Sequence, residues 1–204
     1  MERAPYNAIA EKFSAVRSGF RPREADYLSL LLDSLKEGRR VLDLGCGNGH
    51  PIASHIASLG HHVTGVDGSE AMLAIASEKL PDHRWLHGQM EDFQLDETFD
   101  AVVCWDCLFH LPRQLYQPVI SKIHHWLVPG GRFMVSSGVL VDEHPEGFTD
   151  TMFGYEFYYD SLSPDDMVSV IEKAGFKIIL AEVCDPPDGD RDKGKWATVA
   201  EKLC

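Results

Sequence analysis

The amino-acid sequence predicts an α/β protein in which helices cover both faces of a doubly wound, mostly parallel sheet. The first observation is a short apolar segment, residues 41–44, which suits a buried parallel strand. The second is the run of alternate glycines at positions 45, 47 and 49 that follows it. The third is an amphipathic segment at 52–59, with Pro51 near its first turn. A strand, a glycine turn and a helix in this order bring the backbone close to a ligand at the carboxyl edge of a sheet.

The spacing of these glycines differs from that of two common nucleotide-binding loops. The dinucleotide fingerprint reads GxGxxG, whereas His50 and Pro51 stand where its third glycine is needed. The phosphate-binding pattern GxxxxGK[ST] is absent. The stretch VLDLGCGNG at 41–49 instead resembles the glycine-rich loop of class I S-adenosylmethionine-dependent methyltransferases, which have an acidic residue at the position of Asp43. The alternative is a tight turn in some other α/β protein.

Hydrophobic periodicity and turn residues predict where the remaining helices and strands lie. The resemblance predicts how many strands the sheet has and the direction of the last one. It implies a Rossmann-like sheet of seven strands, mostly parallel, with an antiparallel last strand. After the first strand, we predict strands at 62–66, 84–87, 99–105, 133–137, 176–183 and 196–201. Helices are predicted at 6–17, 24–36, 52–59, 69–80, 113–127 and 163–173. The segment VPGGR at 128–132 is predicted to be a turn.

The chain is predicted to form one domain, residues 1–204, with two additions around the site. Residues 1–38 form a helical cap, and residues 139–162 form an insertion over the active site. In methyltransferases with this layout, N-terminal helices often cover the cofactor, so Tyr6, Phe13 and Arg17 are candidates for a lid. The competing interpretation is that these side chains pack against the sheet.

The resemblance assigns S-adenosyl-L-methionine as the cofactor and places its binding residues along the first half of the chain. A carboxylate at the end of the second strand, Asp67, can accept both ribose hydroxyls; capping of the next helix is the alternative, although Ser69 already supplies that cap. Gln89 and Met90 stand where the family holds the adenine, and Met72 is either an apolar contact or a core residue. The complete predicted cofactor set is Asp43, Gly45, Cys46, Gly47, Gly49, Asp67, Gly68, Met72, Gln89, Met90 and Trp105.

Residues just past the fourth strand line the transferable methyl in this family, which makes DCLFHLP at 106–112 a candidate catalytic segment. His110 is a candidate general base, or a structural histidine bonded to backbone. Asp106 either pairs with the ammonium of the cofactor or caps the helix that follows. Phe109 is a candidate substrate contact. The tyrosines Tyr155, Tyr158 and Tyr159 either roof the substrate pocket or cover the outside of the fifth strand.

The amino-acid composition limits the classes of partner that we expect this protein to bind. The formal net charge is −13, which repels phosphate backbones and anionic lipid, so we expect neither a nucleic-acid nor a membrane partner. The odd count of five cysteines, the polar N-terminal stretch and the lack of a membrane-spanning run predict a cytoplasmic protein with reduced thiols. Cys104 and Cys107 have no second pair, so no metal site is predicted.

The predicted function is methyl transfer to a small-molecule acceptor, because no motif typical of nucleic-acid methylation follows the fourth strand. A non-catalytic S-adenosylmethionine-binding protein is the first alternative. A nicotinamide-dependent oxidoreductase is the second, although it requires the GxGxxG pattern. The acceptor, the atom that is methylated, the use of a general base and the oligomeric state are left open by the sequence.

Overall fold

A computed structural model describes residues 4–33, 35–139, 147–187 and 194–203. The helices are α1 (Tyr6–Val16), α2 (Glu24–Leu32), α3 (Ile52–Ser58), α4 (Glu70–Lys79), α5 (Tyr116–Trp126) and α6 (Pro164–Lys173). The strands are β1 (Arg40–Leu44), β2 (His62–Asp67), β3 (Arg84–His87), β4 (Phe99–Cys104), β5 (Leu127–Gly138), β6 (Phe148–Met152), β7 (Tyr155–Tyr159), β8 (Phe176–Asp185) and β9 (Lys195–Lys202). Short 3₁₀ turns at Leu108–His110 and Arg113–Leu115 connect β4 to α5.

The main sheet has seven strands in the order β3-β2-β1-β4-β5-β9-β8. Strands β1 to β5 pair in parallel, whereas β9 pairs antiparallel with both β5 and β8. The predicted α/β sheet with an antiparallel last strand is therefore confirmed. The chain order reverses between β1 and β4, and ligands of open α/β sheets bind at the carboxyl edge beside such a switch point.

Two sequence predictions about β5 and α5 need adjustment. The predicted turn at 128–132 lies inside β5, because Phe99 pairs with Leu127 and Ala101 with Arg132, so the extra residues bulge out of the ladder. The helix predicted from residue 113 begins at Tyr116, after a 3₁₀ turn. Pro118 lies in its first turn, where the missing N–H leaves no hydrogen bond unmade.

Alternate residues of the central strands face opposite layers, as the period of a strand requires. Leu42 and Val102 face a core cluster that includes Tyr116, Ile120 and Trp126 of α5. The neighbouring residues of the same strands face a second cluster that includes α2 and α3, formed by Val41, Ala101, Val103, Tyr27, Leu28, Leu31, Ile52 and Ile56. Both faces of the sheet are covered, and α2 is part of that cover.

Helix α1 contrasts with α2, because its fully buried residues are Ile9 and Ala10 alone. It packs against α4 and lies over the carboxyl edge of the sheet, where Tyr6, Phe13 and Arg17 line a cavity. Strands β6 and β7 form a separate hairpin, with Phe148 opposite Tyr159 and Met152 opposite Tyr155. The sequence did not predict this hairpin. Residues 140–146 of the predicted insertion lie outside the described residues.

Candidate active site

The glycine turn after β1 requires glycine at Gly45 and Gly47 for different reasons. Gly45 has a φ of +76°, its N–H donates to the carbonyl of Val66 at 2.7 Å, and a Cβ there would lie 2.4 Å from the Cβ of Cys107. Gly47 has a φ of +53°, but a Cβ there would meet no atom within 4 Å. Gly45 therefore permits close packing, whereas Gly47 faces an open groove. Such a backbone cradle leaves room for a ligand that a side chain would exclude.

Asp67, the last residue of β2, is tied to this turn. Its Oδ2 accepts the N–H of Gly47 at 2.8 Å, and its Oδ1 accepts the N–H of Ser69 at 2.8 Å. Burial raises the pKa of Asp67, and these two N–H donors oppose the rise. The Ser69 hydroxyl accepts the N–H of Met72 and caps α4 in the predicted way. Each oxygen of an ionised carboxylate has a second acceptor position, so Asp67 can still accept from ligand hydroxyls.

A second carboxylate, Asp43, lies in β1, one residue before the strand ends at the glycine turn. Its side chain is buried, and burial, followed by the negative charge of Asp67, raises its pKa to about 7. The group therefore changes charge near neutral pH. A cationic ligand group beside it would favour the ionised form.

The groove at this edge has two lobes that share Tyr6, Gly45, Asp67 and Cys107. The first lobe, of about 80 Å³, adds most of the predicted residues from the first strands: Asp43, Cys46, Gly47, Met72, Trp105 and Asp106. The second lobe, of about 90 Å³, adds Gly68, Gln89, Met90 and His110. Gly49 lies outside both lobes, and a Cβ on it would lie 3.1 Å from the Trp85 ring. The predicted cofactor residues other than Gly49 thus line one continuous groove.

Polar contacts hold α1 over this groove. The Asn7 Oδ1 accepts from the Ser69 hydroxyl at 2.8 Å and from the N–H of Ala71 at 3.0 Å. The Asn48 amide donates to the Ser14 hydroxyl at 2.8 Å. Sequence reasoning did not find Asn7 or Asn48, because a single asparagine in a helix or turn carries no pattern that indicates its distant partner.

His110 has partners on both ring nitrogens. Its Nδ1 lies 3.0 Å from the carbonyl oxygen of Tyr158, and its Nε2 lies 2.9 Å from the Tyr6 hydroxyl. Because a carbonyl only accepts, Nδ1 carries the proton and Nε2 accepts from Tyr6. Burial lowers the pKa of His110 to about 4, so the ring is neutral at physiological pH. The histidine joins α1 to β7.

Asp106 is a partly buried anion held by cations. Its φ is +54°, its N–H donates to the Ser136 hydroxyl at 2.8 Å, and its carboxylate lies 2.6 Å from the Lys195 ammonium. Arg21 and Arg17 lie 3.4 and 3.9 Å from the other carboxylate oxygen. Burial acts to raise the pKa of Asp106, but the cations, Lys195 first, hold it below the ordinary value. Such a carboxylate stays ionised and is a weak base.

A third cavity, of about 480 Å³, is lined by Arg21 and Lys195, the ion-pair partners of Asp106, and we call it the aromatic cavity. Phe148 stacks on Tyr159 with centroids 5.4 Å apart, and Phe109 lies against the same ring at 5.9 Å. The cavity is also lined by Arg21, Ser137, Gly138, Val139, Asp150, Asp160, Ser161, Asp185, Gly194 and Lys195.

The three predicted tyrosines occupy different places around the aromatic cavity. Tyr159 lines it, whereas the Tyr158 hydroxyl donates to Asp160 at 3.2 Å. Tyr155 is 42% exposed and lines none of the cavities among the described residues. Sequence reasoning missed Arg21, Ser137 and Lys195. Lys195 falls between the strands predicted at 176–183 and 196–201, where no motif marks it.

The described residues offer neither a metal cluster nor a membrane span. They contain no group of three or more His, Cys, Asp or Glu side chains arranged to hold a metal ion. Across the same ranges, no helix has both the length and the apolar character that crossing a bilayer requires.

The strand order, the antiparallel β9, the glycine turn and the carboxylate at the end of β2 together define a nucleoside-binding α/β fold of the methyltransferase type. Comparison with known proteins agrees. Residues 41–131, just under half of the chain, match the family model described as "Methyltransferase domain". A ubiquinone biosynthesis O-methyltransferase of Pseudomonas aeruginosa is 29% identical over 167 residues, which cover 76% of this chain and 69% of the relative.

Solved structures share the fold at low identity. A Methanosarcina mazei protein described as a SAM-dependent methyltransferase aligns with a TM-score of 0.73 at 19% identity, covering 91% of this chain and 99% of the other. The structure described as a DhpI–SAH complex aligns with a TM-score of 0.71 at 21% identity, covering 97% and 93% of the two chains. The predicted class is confirmed: the protein is a class I S-adenosylmethionine-dependent methyltransferase, and S-adenosylmethionine is its cofactor.

Proposed function

We propose that this enzyme methylates a small-molecule acceptor bound in the aromatic cavity, with the cofactor in the groove around Gly47 and Asp67. The observation that carries the proposal is the position of Asp106. It lines the groove, and it is ion-paired with Arg21 and Lys195, which line the aromatic cavity. Donor and acceptor spaces thus adjoin across a single residue.

Different residues of the groove bind different parts of the cofactor. Asp67 accepts from the ribose hydroxyls, and Asp43 faces the ammonium of the methionine portion. Gln89 and Met90 in the second lobe contact the adenine. The open space at Gly47 supports this placement, because a side chain there would fill the groove.

The chemistry asks little of the protein beyond positioning. S-adenosylmethionine supplies a methyl group that is already activated on a sulfonium sulfur. Trp105, Phe109 and helix α1 exclude water, and the cavity walls hold the acceptor at attack distance. His110 acts by fixing α1 against β7 through its two bonds, rather than as a general base. The domain predictions fit this arrangement: residues 1–38 contribute a cap through α1, and 139–162 contribute an insertion through β6 and β7.

The proposed acceptor atom is oxygen, by analogy with the relative that is named an O-methyltransferase. The net charge of −13 favours a small metabolite over a nucleic acid. We also propose a cytoplasmic location, supported by the free thiols of Cys46, Cys104, Cys107 and Cys184.

The test is turnover of S-adenosylmethionine to S-adenosylhomocysteine with a panel of small hydroxylated, carboxylated and amino compounds. The expected result is acceptor-dependent product that carries the labelled methyl. Tight cofactor binding with no turnover on any acceptor would instead support a non-catalytic binding protein. A thermal shift with a nicotinamide dinucleotide but none with S-adenosylmethionine would support the oxidoreductase alternative.

A further inference from the structure

The lining of the aromatic cavity includes two buried polar residues, Ser137 and Lys195. Ser137 is 1% exposed, and its hydroxyl has no hydrogen-bond partner among the described residues. Lys195 is 9% exposed, and its ammonium bonds Asp106 at 2.6 Å. An ammonium has three donors, so Lys195 retains capacity for a second acceptor. A buried hydroxyl without a partner is unfavourable unless a ligand satisfies it.

The charge around Asp106 is unbalanced toward positive. Glu24 accepts two bonds from Arg17, at 2.8 and 2.9 Å, and is buried with it. Arg17 is therefore largely neutralised by Glu24. Lys195 and Arg21 then share the single carboxylate of Asp106, so the ion pairs at Asp106 hold two cations against one anion.

Acidic groups also line the cavity, and one of them, Asp185, stands opposite Lys195 in the ladder between β8 and β9. Asp160 is ion-paired with Arg113, whose Nε donates to it at 2.7 Å. Asp150 accepts the N–H of Thr151 on the hairpin, and Asp185 ends β8; both are only partly buried. Lys195 is the more buried of the two cations that line the cavity, since it is 9% exposed and the Arg21 side chain is 53% exposed.

The remaining wall suits a flat ring. Phe148 and Tyr159 are stacked with an angle of 19° between their planes, and Phe109 lies against Tyr159 at 31°. Planar aromatic ligands pack favourably against such faces. The cavity therefore combines an aromatic wall with a cationic polar end beside the cofactor groove.

We propose that the aromatic cavity selects a planar aromatic acceptor with an ionised oxygen, a phenolate or an aryl carboxylate, and that Lys195 is its specificity-determining residue, with Ser137 as a second hydrogen-bond donor. This inference rests on the proposed function. The acid proton of the acceptor leaves to water, and the oxygen lone pair forms the new C–O bond as the C–S bond breaks. The electron pair of that bond stays on sulfur, which gives S-adenosylhomocysteine and the methyl ether or ester.

The experiment compares 2-naphthol, 2-naphthoate and 2-naphthylamine, which share one ring system and differ in the reacting group. Formation of S-adenosylhomocysteine is measured for the wild type and for Lys195→Met, Lys195→Arg and Ser137→Ala. Lys177→Met is the matched control, since Lys177 is an exposed lysine on the neighbouring strand β8. Cofactor affinity is measured separately by calorimetry in each variant.

The expected preference is for naphthol or naphthoate over the neutral amine, and which of the two reacts distinguishes phenolate from carboxylate. Lys195→Met is expected to lower kcat/KM by about 10- to 100-fold, the range for a lost hydrogen bond to a charged group. Lys195→Arg retains most activity, and Lys177→Met retains all of it. If naphthol is the acceptor, Lys195→Met also moves the acid limb of the pH profile upward, because the ammonium lowers the pKa of the bound phenol.

Preference for the amine, or equal loss on all three acceptors in Lys195→Met, would overturn the inference while leaving methyl transfer intact. If Lys195→Met melts early, competition binding of the three acceptors to the wild type with S-adenosylhomocysteine decides the matter. Selection of the amine there also overturns it. Absence of cofactor binding in the wild type would instead contradict the proposed function.

Discussion

The cofactor groove and the aromatic cavity are built in different ways. The groove depends on one backbone turn, on Asp67 at the end of the next strand, and on hydrogen bonds between these two consecutive strand ends. The aromatic cavity draws its wall from places far apart in the chain: Arg21 before α2, Phe109 after β4, Tyr159 on β7 and Lys195 on β9. The first is a local arrangement that leaves a sequence pattern. The second is a tertiary arrangement that leaves almost none.

The largest effect is expected from Gly47→Val, which places a side chain in the groove and leaves the aromatic cavity unchanged. Its side chain would enter open space that the cofactor needs, so affinity for S-adenosylmethionine should fall by about 3 kcal/mol or more. The control is Gly130→Val, at a similar φ of +73° and also without atoms within 4 Å of a Cβ. Both variants should lose about 1–2 kcal/mol of stability from the left-handed backbone. Equal cofactor affinity in the two would show that the groove is not the cofactor site.

Asp67→Asn should produce the next effect. The asparagine amide replaces one acceptor oxygen of the carboxylate with an NH₂ donor. That donor faces either a backbone N–H or a ribose hydroxyl, so one hydrogen bond that the carboxylate accepts is lost. Calorimetry is expected to show weaker binding of both S-adenosylmethionine and S-adenosylhomocysteine by about 1–3 kcal/mol. Asp82→Asn, on an exposed turn, should leave affinity unchanged. Unaltered binding in Asp67→Asn would refute the ribose assignment.

Asp43 should make cofactor affinity depend on pH. Because its pKa lies near 7 in the free protein, the group is protonated below that value and ionised above it. Only the ionised form pairs with the ammonium of the cofactor, so affinity rises between about pH 6 and pH 8, by at most about tenfold, as the ionised fraction of Asp43 grows. Asp43→Asn removes this rise while retaining the titration of the cofactor itself. A rise of the same size in the variant would exclude Asp43 as its source.

The smallest effect is expected from Tyr155→Ser, which tests which residues of the hairpin belong to the aromatic cavity. The tyrosine is exposed at the end of the β6–β7 hairpin, so stability and kcat/KM should change by no more than about 0.5 kcal/mol. Tyr159→Ser is the paired variant, since that ring is stacked on Phe148 inside the cavity. It should raise KM for the acceptor. Identical kinetics for the two variants would argue against acceptor binding in this cavity.

The groove could be predicted from the sequence more completely than the aromatic cavity, and the reason is physical. A glycine spacing reports a backbone conformation that other residues avoid, and Asp67 follows from the strand that ends there. The predicted groove residues, Gly49 aside, consequently line one groove. By contrast, the periodicity of 148–159 is obscured because its aromatic residues face both a cavity and solvent, so the hairpin was not predicted.

Individual roles were harder to predict than positions. The sequence left two interpretations for His110 and two for Asp106, because nothing in the neighbouring sequence indicates which residues they contact. The structure supplies Tyr6 and the Tyr158 carbonyl for His110, and Lys195 and Arg21 for Asp106. Partners that lie so far away along the chain cannot be inferred from local spacing.

The sequence by itself determined the α/β sheet, the glycine turn and the positions of Asp43 and Asp67 at the strand ends beside it, because each follows from the pattern of one strand and the turn after it. Only the tertiary structure decided which distant side chains meet across Asp106, and therefore where an acceptor fits. Buried charges and rings acquire their chemistry from neighbours, and neighbours are set by how strands and helices pack.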